Sequence, residues 1–160
     1  CWHGSSSVCV PAVWRQRSPA ALGVVPGASG GPCIAGERAR KVETCVVFTS
    51  RSAASSTAWA ELARGPYYHV LTSEDVVGTE ACAALKNAYA MGIGFAAGVH
   101  EKRGGVAGSV AMHNCEAALY AQAIREAEAL VTLLGGDAHT AAGLVWLLFG
   151  CECGGARGSC

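Results

Sequence analysis

The sequence predicts an α+β chain that is mostly helical: the tail end of an α/β unit followed by a helical domain. Three observations predict this. A short β-branched run, a helix-compatible stretch and a second aromatic and β-branched run follow one another between residues 45 and 73. From Asp75 the composition shifts to alanine, glycine and valine in an apolar run of about seven helical turns. Gly-Gly pairs at 104–105 and 135–136 then cut the rest into helix-sized pieces.

Each element has its own signal. Residues 1–28 keep no period of 2 or 3.6, and Pro11, Pro19 and Pro26 interrupt them, so no element is assigned there. "CVVFTS" (45–50) is a short β-branched run, as in a buried strand. "SAASSTAWAELARG" (52–65) reads as a helix ended by Gly65-Pro66. "YYHVLTS" (67–73) alternates aromatic and β-branched residues like a second strand. The next helix is expected over 73–99, with Ser73 as its N-cap and Glu74 and Asp75 in its first turn, where the helix dipole favours acids. Its small-apolar composition predicts burial through its middle. A second long helix is expected over 106–134, with Gly135-Gly136 as its stop, and a short third one over 137–144, capped by Asp137.

Composition narrows the function classes. The 160 residues suffice for one domain, and 12 basic against 12 acidic residues give a formal net charge of zero. That balance supplies no electrostatic reason to expect nucleic acid or an anionic membrane. No stretch reaches the roughly 20 apolar residues of a membrane span. The start, "CWHGSSSVCV", has neither an initiator Met nor the order of a signal peptide, so the chain reads as an internal piece of something longer. Of nine cysteines, Cys33, Cys45, Cys82 and Cys115 stand singly among small apolar residues, as minor core hydrophobes in a reducing cytosol would.

Most candidate motifs have a plain reading. "GIGFAAG" (92–98) has the glycines of a dinucleotide loop but lies inside a helical run, so Gly94 and Gly98 read instead as a close helix–helix approach. His113 and Glu116 share a helix face without a third ligand at a suitable spacing. Cys151, Cys153 and Cys160 lack the paired C-x-x-C knuckles of a zinc site. No metal is expected.

Lys86 is different. It is one of three lysines, and the other two, Lys41 and Lys102, sit in charged clusters. Its helical neighbours are Thr79, Cys82, Ala83, Tyr89, Ala90 and Ile93, with no charge in sequence nearer than Glu80. Such a lysine either snorkels to solvent or is held desolvated, and desolvation suits it to general acid–base work. Asn87 beside it brings a donor and an acceptor.

With these residues, the sequence resembles the NAD(P)-dependent glycerol-3-phosphate dehydrogenase family. "DVVGTEACAALKN" (75–87) is similar to that family's Asp-Val-x-Gly-x-Glu pattern followed by Ala-Leu-Lys-Asn and an Ala/Gly-rich helix. "GGPCIAGE" (30–37) is similar to its Gly-Pro-[Ser/Thr]-Phe-Ala stretch, the last strand of the nucleotide domain. The likeness runs from about residue 30 to residue 144.

The resemblance implies the end of a Rossmann-type α/β domain over 29–72, a helical dehydrogenase C-terminal domain over 73–144, and off-pattern segments at 1–28 and 145–160. It implies a fragment of a cytoplasmic oxidoreductase of glycerol phosphate metabolism. A hydride would pass between NAD(H) or NADP(H) and dihydroxyacetone phosphate, with Lys86 as proton donor and acceptor. Gly31, Cys33 and Asn87 match substrate positions, and Ala35 matches a cofactor position. The implied partner is a small phosphorylated substrate, with a homodimer left open.

The sequence also departs from the pattern. Cys33 stands where a hydroxyl is usual and Gly36 where a lysine is common. After "AAGL" the family's Asp-Leu motif and Arg-Asn phosphate grip are missing, and so is the Rossmann glycine loop. A second reading therefore stands beside the first: a non-catalytic helical module whose helices only pack or pair with a partner.

Overall fold

Val46 and Val47 are adjacent in sequence but lie in different cores, because successive side chains of a strand point to opposite faces. In the computed structural model, which describes residues 25–106 and 109–146, that strand is β2 (Thr44–Ser50). It is the middle of three strands among the described residues, between β1 (Gly27–Gly30) and β3 (Tyr68–Ser73). β1 runs antiparallel to β2, pairing Gly30 with Val47. β3 runs parallel, from Thr44 opposite Tyr68 to Thr49 opposite Ser73.

A parallel pair needs a crossover, and α2 (Ala53–Ala63) supplies it. The Ser52 side chain caps it by accepting from the Ser55 amide. Ala60 of α2 joins Val46, Tyr68 and Val70 in one core. The short α1 (Ala35–Ala39) precedes β2.

The opposite face of the sheet is covered by α3 (Val76–Lys102), α4 (His113–Leu133) and α5 (Ala138–Ala141). Ala123, Ala127 and Val131 recur every four residues along α4 and bury one stripe. They meet Val47, Cys82, Ala141, Val145 and Trp146, with Leu85, Tyr89, Tyr120 and Ile124 at the margin.

Several expectations are corrected. The 30–37 stretch is not itself the strand. β1 ends at Gly30, and Pro32, which lacks an amide proton, opens a turn into α1. The long helix is capped by Asp75, not Ser73; Ser73 Oγ instead accepts from the Asp75 amide. The second long helix begins at His113 rather than 106, after a 3₁₀ turn at Val110–Met112, since Val106 and Val110 have no face to bury. α5 stops at Ala141, short of 144.

The middle of α3 is not buried all round. Between residues 84 and 94 only Ile93 is fully buried, while Ala84, Asn87, Ala88, Met91, Gly92 and Gly94 are exposed. The cause is that α3 packs on α4 along one stripe only. Gly94 and Gly98 accordingly face open space, not another helix. Of the described cysteines only Cys82 is a core residue; Cys33 and Cys115 are exposed and Cys45 is half-buried. The cysteine-rich tail at 151–160 lies outside the described residues.

Candidate functional site

The site is built where the end of β1 meets the first turns of α3. Gly31 follows β1 with φ +118°, and a Cβ there would lie 3.2 Å from Val46 Cα, so this position demands glycine. At Gly30 a Cβ would come 3.3 Å from Thr79 Cγ2 of α3 and 3.0 Å from Val145 Cγ1. Backbone at β1 and side chain at α3 are therefore in direct contact.

Lys86 lies two turns beyond Thr79 on the same side of α3, about 10 Å further along the axis. It sits at the rim of the stripe formed by Thr79, Cys82 and Ile93, which are buried, and Tyr89, which is half-buried. It is itself half-buried rather than enclosed, because the neighbouring Ala83 and Asn87 face outward. Cys33 and Ala35 are both exposed, on the turn and at the start of α1.

Beside Cys33, the Arg38 guanidinium lies 4.7 Å over the Tyr68 ring. Burial first, then the Cys33 thiol, push the Tyr68 phenol up, against the pull of Arg38. One turn beyond Lys86, Tyr89 donates to Glu126 Oε2 at 2.8 Å while Gln122 donates to Glu126 Oε1 at 3.0 Å. The Tyr89 ring meets Trp146 edge-on, with centroids 5.5 Å apart. Burial and then the Glu126 hydrogen bond raise the Tyr89 phenol to about 12, and burial raises the Cys82 thiol to about 11.

Asp75 joins the start of α3 to the α4–α5 turn and to α5, a tie that sequence reasoning, which placed it only in the first turn and in the family pattern, missed. Its Oδ1 accepts from the Gly78 amide at 2.8 Å. Its Oδ2 accepts from the Asp137 amide at 2.9 Å and from Thr140 Oγ1 at 2.6 Å. The only local signal was an acid three residues before Gly78, an N-cap spacing; its second arm reaches 62 and 65 residues along the chain, beyond any local pattern.

Among the described residues no group of three or more His, Cys, Asp or Glu side chains is arranged to hold a metal. His113 and Glu116 begin α4, exposed and half-buried respectively. Among those residues, too, no helix is long and apolar enough to cross a membrane.

A family profile described as "NAD-dependent glycerol-3-phosphate dehydrogenase C-terminus" matches residues 75–147. The chain is 36% identical over 141 residues to the NADP(+)-dependent glycerol-3-phosphate dehydrogenase of Archaeoglobus fulgidus, covering 88% of this chain and 40% of that one. It is 35% identical over 114 residues to the glycerol-3-phosphate dehydrogenase [NAD(P)+] of Geobacter metallireducens, covering 71% of this chain and 31% of the relative. In fold it superposes on the crystal structure of glycerol-3-phosphate dehydrogenase from Coxiella burnetii with a TM-score of 0.68 and 27% identity, over 82% of this chain and 37% of that one. The Saccharomyces cerevisiae enzyme gives a TM-score of 0.64 at 27% identity, over 84% of this chain and 39% of that one. The chain thus spans about two-fifths or less of the length of these relatives. The profile match over residues 75–147 and the relatives that align with most of this chain agree: the chain belongs to the NAD(P)-dependent glycerol-3-phosphate dehydrogenase family.

Proposed function

We propose that this chain is the substrate-side portion of an oxidoreductase that interconverts dihydroxyacetone phosphate and glycerol 3-phosphate. The observation that carries the reading is Lys86, part-shielded on α3 two turns from the contact between Thr79 and Gly30. In the reductive direction C2 of the substrate gains a hydride while Lys86 gives its proton to the carbonyl oxygen. In the reverse direction the amine takes that proton back. The glycine turn at Gly31 and the exposed Cys33 and Asn87 would face the substrate, small enough at the turn for a phosphorylated triose to approach the backbone.

Exposed Ala35 stands at the position that the resemblance gives to the cofactor, and the nicotinamide cofactor would supply or accept the hydride when bound. The sequence has no Gly-x-Gly-x-x-Gly turn to cradle a pyrophosphate. The described cysteines are free thiols, in keeping with a reducing cytosol. A second reading, a helical module that only pairs with a partner, is favoured by one observation: Met91 and Phe95 of α3 are 63% and 66% exposed.

The test is made in the longest protein that the reading frame around these residues encodes. Lys86→Ala should lower dihydroxyacetone phosphate reduction by roughly 10²–10⁴-fold, the worth of a positioned general acid. Lys86→Arg should not restore it, since a guanidinium keeps its proton. Lys86→Met retains the apolar stem, so near-parental turnover by this variant would refute the catalytic role and leave the pairing module.

A further inference from the structure

Three chain segments share the carboxylate of Asp75. Its Oδ1 closes the first turn of α3 through Gly78, and its Oδ2 holds the α4–α5 turn through the Asp137 amide and α5 through Thr140 Oγ1. The main-chain carbonyl of Asp75 also accepts from Thr79 Oγ1 at 2.8 Å, which fixes the rotamer of the residue that touches Gly30. The two glycines at the joint leave no slack. A Cβ on Gly136 would lie 2.7 Å from the Gly78 amide nitrogen, and one on Gly78 would overlap the Asp75 carboxylate.

From this geometry we infer that Asp75 is a positioning residue for Lys86. The inference rests on the proposed dehydrogenase reading. A helix capped by water or by a lone hydroxyl would still be a helix, so the cap alone does not explain the second arm. What the arm adds is a fixed placement of the start of α3 against α5 and, through Thr79, against β1. Lys86 is carried rigidly on α3, about 16 Å beyond Asp75, so a small tilt at the joint becomes a displacement at its ammonium group. Proton transfer requires hydrogen-bond reach and tolerates such a displacement poorly, whereas substrate binding, spread over several contacts, tolerates it better.

The experiment separates this role from simple stabilisation and from the cap. Asp75→Ser keeps a side-chain acceptor for Gly78 and removes the second arm; Thr140→Val removes one hydrogen bond of that arm and leaves Asp75 intact. Steady-state kinetics on the protein encoded by the full reading frame should show kcat lowered about tenfold or more in each variant, with KM for dihydroxyacetone phosphate changed by about twofold at most. The double variant should fall little further than the worse single one, because both remove the same tie. If both variants melt earlier but keep parental kcat, Asp75 is structural only and the inference fails. Should Asp75→Ser not fold, Thr140→Val alone decides. An inactive parent, or a Lys86→Ala variant as active as the parent, overturns the dehydrogenase reading itself and the inference with it.

Discussion

The two faces of α3 are made from the same kinds of residue and lie in opposite environments. One face, with Thr79, Cys82, Leu85, Tyr89 and Ile93, is closed by β1, α4 and Trp146. The other, with Ala84, Ala88, Met91, Phe95 and Val99, is open. The presence of large apolar side chains does not distinguish them, since Met91 and Phe95 stand on the open face. What distinguishes them is whether a partner element carries a matching stripe, and α4 carries one, at Ala123, Ala127 and Val131. Lys86 lies at the seam between the faces, which gives it shelter on one side and access on the other.

The closed face should break hardest at Trp146. It is 0% exposed and meets Tyr89 edge-on, so Trp146→Ala is expected to cost about 3–5 kcal/mol, read from chemical denaturation of the chain. Unchanged stability would mean that the closed face is not held from this side. Gly136→Ala should follow, at about 1–3 kcal/mol, because the added methyl meets the Gly78 backbone and not a movable side chain. If this variant melts with the parent, the close approach at the joint is absent.

Alkaline pH tests the same face without mutation. Cys82 is held at about 11 and Tyr89 at about 12 in the folded chain, each above its ordinary value of 9.0 and 10.0. The unfolded chain releases these protons first, so both groups stabilise the fold fully below pH 9 and lose that contribution as pH rises toward 12. Cys82→Ala should flatten the first part of the decline and Tyr89→Phe the last part. A profile unaffected by either change would place both side chains in water.

The open face should respond least, and with the opposite sign. Nothing lies within 4 Å of a Cβ built on Gly94, so Gly94→Ala should stabilise the chain by up to about 1 kcal/mol through helix propensity. Destabilisation on a thermal melt would reveal a neighbour there after all.

Elements whose evidence is local were legible in the sequence. β2, α2 and β3 announced themselves by β-branched runs and a Gly-Pro stop, and α3 by its long run of small and apolar residues. Lys86 and Asn87 stood out because a charge and an amide interrupt that run. The rest depended on tertiary pairing. Whether Ala88 or Cys82 is buried turns on where α4 lies, and no period within α3 tells one face from the other. The Tyr89–Glu126 hydrogen bond spans 37 residues and the Asp75 tie 62, distances at which sequence spacing carries no geometry.

That span has a kinetic meaning. Bringing Asp75 to Asp137 closes a loop of 62 residues, while the β2–α2–β3 unit and the α3–α4 pair involve nearer neighbours. Loop-closure entropy delays the longer-range contact, so the carboxylate joint is expected to form late, after the helices have docked. Contacts made after the transition state govern how fast a protein comes apart and leave its folding rate nearly untouched. The joint at the root of α3 would then act as a latch on unfolding, visible in stopped-flow experiments as a steeper loss of lifetime than of folding speed when Asp75 is replaced.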